Sequence, residues 1–571
     1  MRLLALCPLA LPALFACSPA ERQPAAAAAA FAPRTAKVAT GDSAMVSTAS
    51  PFATEAGLRV LRRGGNAIDA AVAVAMTLAV TYPSAGNLGG GGFMVARING
   101  SNVALDFREA APGAASRDMY LDSAGKLTDR SVNGALAAGV PGSVAGLFEA
   151  HRKYGTLPWR DLLQTAVALA DSGFVIDSAF VEDGEGTSTR LAHDSTSAQL
   201  FLANGHARAV GSRWRAPGLA ATLQRIADQG RDGFYTGETA NLIVAAMKSG
   251  GGIISQRDLA AYQAIWRTPI EFTYHGHQIV SMPPASSGGL TLGLILGILE
   301  GTDLPALGWR TPQAIHLLAE AERRAFVRRN TLLGDPAFVK IPVASFLSKD
   351  TAAALRAEIG TTATTGTSHA AAREKRHTTH FSVVDAHGNA VAITTTINDS
   401  YGSGFTVPGA QFLLNNEMDD FTTAVGAVNQ FGLVQGEANA IAPGKRMLSS
   451  MTPTIVLDSA GAPVLVTGAA GGVCIITAVA HLIVSILDYH RPLGEAMTAP
   501  QFHHQDVPDS LLVERGAWAD TAAAMMAPLG HAVKPSPWGS LAWMHSIMRR
   551  RDGTGWEGVS EPRGFGLARG Y

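Results

Sequence analysis

Several common protein classes are excluded by what this chain lacks. Of its 571 residues only three are cysteine: Cys7, Cys17 and Cys474. Two of them fall in the first 17 positions, so Cys474 has no partner in the body of the chain and no disulfide framework can form there. Charge is sparse: Asp, Glu, Lys and Arg make up 16% of the residues, with a net charge of −1. There is no basic excess of the kind that binds nucleic acid. Beyond the first 17 residues no apolar run reaches the length of a bilayer span, and the longest, 475–487, is broken by His481. No Gly-x4-Gly-Lys nucleotide loop, no His-Glu-x-x-His zinc motif and no internal repeat is present. The adjacent His503 and His504 read as a surface loop, so no metal or other cofactor is expected. Glycine (61 residues) and apolar side chains (47%) are abundant, as in a turn-rich protein of mixed helix and strand with a large core.

The first 17 residues read as an export signal. Arg2 supplies the positive start, and residues 3–16 an apolar stretch too short to span a bilayer. Leu14-Phe15-Ala16-Cys17 resembles a bacterial lipobox with Cys17 as the lipidated residue; because Phe15 is bulky there, an ordinary signal-peptidase cut nearby is the alternative. Residues 18–38, rich in Ala and Pro, read as a tether. The expected location is outside the cytoplasm of a bacterium, in the periplasm or tethered to a membrane by lipid on Cys17.

Along the body, residues 50–63 have helical spacing and stop at Gly64-Gly65, and 69–80 are apolar all round, as in a buried helix. Asn87-Leu88-Gly89-Gly90-Gly91-Gly92-Phe93 follows a helix and precedes a strand, the reverse of a phosphate loop, and reads as close backbone packing. A mostly helical stretch covers 141–261, a strand pair 270–281, and a helix 312–330. Residues 351–377 have the composition of an exposed, cleavable linker. Strands are then expected at 381–384, 390–396, 412–414, 454–457 and 464–467, followed by helices at 475–489 and 493–499. This order gives an α+β fold, with stacked sheets between helical layers.

The most informative stretch is His377-Thr378-Thr379-His380-Phe381. Were the chain cut after His377, Thr378 would carry both a nucleophilic hydroxyl and, as its own α-amine, the base that activates it. A threonine pair by itself only marks a strand start. The turn Ala386-His387-Gly388-Asn389 would fold the next strand back, bringing Thr396 near Thr378, although plain β propensity also explains Thr394-Thr395-Thr396. Asn398 follows that strand. Glu417, Asp419 and Asp420 form an acid cluster that alone reads as a turn, and Ser449-Ser450 offers paired hydroxyls. Gly468-Ala469-Ala470-Gly471-Gly472 ends a strand and opens a helix, where amides without intrahelical partners can face a developing oxyanion.

Taken together these segments resemble the gamma-glutamyltranspeptidase (glutathione hydrolase) family of N-terminal nucleophile hydrolases. The resemblance also runs through Gly65-Asn66-Ala67-Ile68-Asp69, Asp106-Phe107-Arg108-Glu109, Gly139-Val140-Pro141-Gly142-Ser143 and Pro283-Pro284-Ala285-Ser286-Ser287. It implies a four-layer αββα sandwich built from two subunits of one precursor, which cuts itself between His377 and Thr378. The large subunit would span 39–377 and the small one 378–571, paired as a heterodimer. By the same resemblance Thr378 is the nucleophile, Thr396 orients it, and Gly471 and Gly472 form the oxyanion hole. Arg108, Ser449 and Ser450 would bind the donor's α-carboxylate, and Asn398, Glu417 and Asp420 its α-amine. The donors would be glutathione and other γ-glutamyl compounds, and the acceptors water, amino acids or peptides. A lid is expected at 425–436, with Phe431 where a tyrosine is frequent, and Ala469-Ala470 replaces a Ser-Pro pair. Two rivals share the scaffold: a cephalosporin (glutaryl) acylase, and an uncleaved lipoprotein that binds without catalysis.

Overall fold

The computed structural model describes residues 35–181, 184–364, 378–424, 426, 429–430 and 432–571. Two large antiparallel sheets form its centre. One runs in the order Val38–Gly41, Trp556–Ser560, Trp543–Arg549, Pro463–Thr467, Thr454–Leu457, His277–Ser281, Ile270–Tyr274, with Ala469–Ala470 paired beside Trp543–Arg549. The other runs Leu567–Gly570, Met45–Thr48, Thr379–Val384, Ala390–Thr396, Gly91–Ile98, Ser101–Phe107, Ile265–Arg267. Each sheet therefore interleaves strands from before and after Thr378.

The strand Thr379–Val384 shows how the layers arise. Its alternate residues Phe381 and Val383 join a core with the helix Ala67–Thr81. His380, Ser382 and Val384 turn toward the facing sheet, where Ser382 Oγ donates to the carbonyls of Val466 (3.2 Å) and His545 (2.8 Å). Helices Gly288–Leu299 and Cys474–Leu487 cover the far side of that facing sheet and share its core. Helix, sheet, sheet and helix form the four layers.

The Gly65–Asp69 motif is a helix start. Asn66 Oδ1 accepts the N–H groups of Ile68 and Asp69 at 3.0 Å, while Asp69 accepts that of Asn66, a reciprocal cap for Ala67–Thr81. Asp385, at the end of the central strand, accepts the Ala67 N–H at 2.9 Å and so ties the helix to the sheet.

Three expectations are corrected, and one helix had no expectation. Residues 412–414 form isolated bridges to Thr406 and Gly89 rather than a strand, because the chain passes across the sheet ends there. The stretch from 351 begins as helix, Lys349–Ala357, capped by Ser348; positions 365–377 lie outside the described residues. His503 and His504 are buried, at 0% and 2% exposure, because His503 lies in the strand Phe502–His503. The helix Gly288–Leu299 was not expected: its apolar positions leave no polar face to reveal a period, since the helices Pro312–Leu332 and Lys349–Ala357 cover its outer side. Among the described residues no helix is long and apolar enough to cross a membrane, and no cluster of His, Cys, Asp or Glu could hold a metal ion.

Candidate active site

Thr378 sits at the head of the central strand and is 6% exposed. The hairpin pairs Thr379 with Thr395 and places Thr396 opposite Thr378. The Thr378 hydroxyl donates to Thr396 Oγ1 over 3.4 Å, and Thr396 Oγ1 also accepts the Asn398 N–H at 2.8 Å. Thr396 is thus set by its own turn, with Asn398 in the left-handed region (φ 76°).

Both threonines line a partly open cavity whose empty space, mouth included, is about 360 Å³. Nine of the ten expected site residues among the described positions line it, Gly471 being the exception. His377 is outside the described residues. Gly472, with φ 57°, lines the cavity, and its N–H has no acceptor among the described residues. Gly471 has φ 138°, and a Cβ there would press on the Leu541 carbonyl oxygen, so the turn needs glycine for both torsion and space. The preceding Ala469–Ala470 pairs with Trp543 and Met544. Without a proline, sheet pairing holds this turn.

Charged side chains also line the cavity. Arg108, 1% exposed, donates from its two terminal nitrogens to Glu417 and Asp420, and from Nε to the Met447 carbonyl at 3.3 Å. Burial opposes its charge, but Glu417, Asp420 and Glu109 more than offset that and raise its pKa. Burial raises Glu417 and Asp420 against the pull of Arg108. Glu109 lies 3.6 Å from Arg108, is fully buried with no hydrogen bond to either carboxylate oxygen, and is pushed up to about 7 by burial. One guanidinium cannot neutralise three carboxylates, so the site favours a further positive charge.

Ser449 Oγ accepts the Met451 N–H at 3.1 Å and Ser450 Oγ accepts from Arg329 at 3.1 Å. Each hydroxyl is left with its own O–H to donate. Asn429, Leu433 and Gln435, from the expected lid, also line the cavity; Phe431 and its missing tyrosine hydroxyl fall outside the described residues. Sequence reasoning missed Arg329 and Gln435. Arg329 sits in Arg328-Arg329 on the long helix Pro312–Leu332, where a basic pair reads as a solvated face. Only the residue's burial reveals it.

A threonine heading a central strand between two stacked sheets, with helices outside, defines the N-terminal nucleophile hydrolase scaffold. Residues 53–571 match the family model described as gamma-glutamyltranspeptidase, and the chain belongs to that family of enzymes. It is 46% identical over 482 residues to a glutathione hydrolase proenzyme of Pseudomonas sp. (strain A14), covering 83% of each chain. To the glutathione hydrolase proenzyme of Escherichia coli (strain K12) it is 42% identical over 537 residues, 92% of each. Among solved structures, a cephalosporin acylase from Bacillus halodurans superposes with a TM-score of 0.83 at 25% identity, over 97% of this chain and 99% of that one.

Proposed function

We propose that the chain is a self-processing γ-glutamyl hydrolase and transpeptidase, acting on glutathione and related γ-glutamyl amides. The observation that carries this is the cavity itself, lined together by a threonine pair, paired acids, two guanidiniums and two serine hydroxyls. A γ-glutamyl group is a zwitterion remote from its scissile bond, and this distribution complements it.

The proposed precursor cuts between His377 and Thr378, freeing the Thr378 α-amine. That amine takes the hydroxyl proton as Oγ1 attacks the γ-amide carbonyl, with Thr396 orienting the oxygen. The N–H groups of Gly471 and Gly472 hold the oxyanion. The ammonium returns its proton to the leaving amine, and a γ-glutamyl ester remains on Thr378. Water, or the amine of an amino acid or peptide, then attacks the ester by the reverse proton transfers. Arg108, Ser449 and Ser450 serve the donor's α-carboxylate, and Asn398, Glu417 and Asp420 its α-ammonium. No cofactor enters this scheme. The large (39–377) and small (378–571) subunits stay paired as a heterodimer. Residues 1–17 direct export, 18–38 form the tether, and Cys17 is the lipid attachment point.

A glutaryl acylase has the superposition with the Bacillus halodurans enzyme in its favour. A glutaryl group carries no ammonium, however, and would bring no positive charge to Glu417 and Asp420, which share the single guanidinium of Arg108. Comparing hydrolysis of γ-glutamyl and glutaryl anilides tests the reading: a preference for the glutaryl compound would refute it.

A further inference from the structure

A second cavity shares no lining residue with the one at Thr378. The long helix Pro312–Leu332 and the helix Cys474–Leu487 both contribute to it, with Phe502 from a short strand. Its lining is mixed in character. Ile315, Leu318 and Val484 are apolar, whereas Arg310, His481 and Ser485 carry hydrogen-bond donors.

Arg310 is half-buried and makes no ion pair among the described residues. Its guanidinium donates to the Pro500 carbonyl, and its Cζ lies 5.2 Å from the Phe502 ring centre and 5.8 Å from that of Trp309. These rings attract a cation but do not neutralise it. Burial and the charge of Arg563 lower the Arg310 pKa to about 10, against the pull of Glu514 and Glu322, so it stays protonated at neutral pH. Glu514 is itself held by Arg563 at 3.0 Å. The Arg310 backbone is left-handed (φ 61°), a conformation that costs a non-glycine residue energy and that clusters at binding sites.

His481, which interrupts an otherwise apolar run, supplies a second donor. Its Nε2 lies 2.5 Å from Glu322 Oε1, and burial raises Glu322 well above the ordinary carboxyl range. Glu322 therefore keeps a proton, and that proton occupies this contact. Burial also holds His481 neutral. With Nε2 engaged by Glu322, the imidazole carries its own proton on Nδ1, which has no hydrogen bond among the described residues. Ser485 Oγ accepts from Trp309 Nε1 at 3.3 Å and retains its O–H.

The cavity's empty space, mouth included, is about 270 Å³, below the roughly 300–1,000 Å³ of pockets that take drug-sized ligands. A phosphate or sulfate would set unpaired oxygens against Ile315, Leu318 and Val484. A carboxylate on a short alkyl chain uses both kinds of lining. We infer that this cavity is a binding site for a short-chain aliphatic monocarboxylate, its oxygens held by Arg310 with His481 and Ser485, its alkyl chain against Ile315, Leu318 and Val484. Because the two cavities share no residue, the site is independent of the γ-glutamyl reading.

The test titrates the purified wild-type protein with propanoate and with propan-1-ol, the same chain without its carboxylate, by saturation-transfer NMR. Propanoate should bind saturably, and propan-1-ol about ten- to a hundredfold more weakly, as expected for loss of a charge-assisted hydrogen bond. Arg310→Gln should weaken propanoate by the same factor and leave propan-1-ol unchanged, while Arg310→Lys should recover part of the loss. Chloride, having no alkyl part, should displace propanoate poorly. Absence of saturable propanoate binding would overturn the site, and so would equal affinity for acid and alcohol. Propanoate binding unaltered by Arg310→Gln would place the ligand elsewhere, and chloride competing as strongly as propanoate would overturn the carboxylate assignment. A melting temperature near the wild-type value shows that a variant folds. Should Arg310→Gln not fold, Arg310→Lys and the comparison of acid with alcohol decide in the same way.

Discussion

The side-chain amide of Asn87 donates to the Thr396 carbonyl at 2.9 Å, binding the glycine run to the strand end that faces Thr378. The same side chain accepts the Gly90 N–H at 3.0 Å and the Ser143 hydroxyl at 2.6 Å. Gly90 passes so close to this strand that a methyl group on it would overlap the Thr396 carbonyl oxygen. The glycines are there for backbone approach.

Gly90→Ala should therefore act on Thr396 through the backbone. A displacement of about 1 Å at a reacting group costs on the order of a hundredfold in rate. We expect slowed conversion to two chains and a turnover loss of that size, with a melting temperature showing that the fold persists. Gel densitometry over time and anilide hydrolysis are the measurements; unchanged rates would show that the strand end tolerates the shift.

Thr378→Ala should abolish both chain cutting and turnover, because one hydroxyl serves both steps. A denaturing gel with amino-terminal sequencing checks this. If the variant still gave a new terminus at position 378, the self-processing scheme would be wrong.

Asp420→Ala should leave maturation intact and weaken donor use. A charge-assisted hydrogen bond contributes about 1.5–3 kcal/mol, so kcat/KM for a γ-glutamyl anilide should drop about ten- to a hundredfold. Glutaryl anilide, which has no ammonium, should be much less affected. Equal losses on both donors would count against Asp420 as the ammonium partner.

Glu109 makes stability depend on pH. Its folded pKa of about 7 lies above the ordinary 4.5, so between those values the folded state binds more protons than the unfolded one. Stability thus falls as pH rises through this window and levels off above about 7, a loss on the order of 2–4 kcal/mol. Glu109→Gln should flatten that decline. Thermal melts at pH 5 and pH 8 would show a smaller difference for the variant, and an unchanged difference would mean that the buried carboxyl does not hold its proton.

The outline of the fold was legible wherever a pattern had a single reading. The run 69–80 reads as apolar all round, and it lies in the buried helix Ala67–Thr81. The alternation from Thr379 onward gave the central hairpin. Residues 412–414 failed because a three-residue apolar run says nothing about hydrogen-bonding partners; these ones bridge to Thr406 and Gly89 across the sheet ends. The approach of Thr396 to Thr378 was legible from the hairpin turn between them, and the two line one cavity with Gly472. Arg329 was not, because a helix in sequence does not disclose which of two adjacent arginines turns inward. Nor does a sequence show that Arg108 is already held by two acids.

The interleaving of strands reaches beyond architecture. Met45–Thr48 lies between Thr379–Val384 and Leu567–Gly570, and the Ser43 and Ala44 N–H groups donate to the Tyr571 carbonyl at 2.8 and 3.2 Å. The proposed cut at position 378 would leave neither piece with a complete sheet of its own. Before the cut, refolding is a problem for one molecule. After it, two separate chains must meet, and each exposes unpaired edges until they do. The mature enzyme would persist because it opens slowly, and once opened it would have no easy way back.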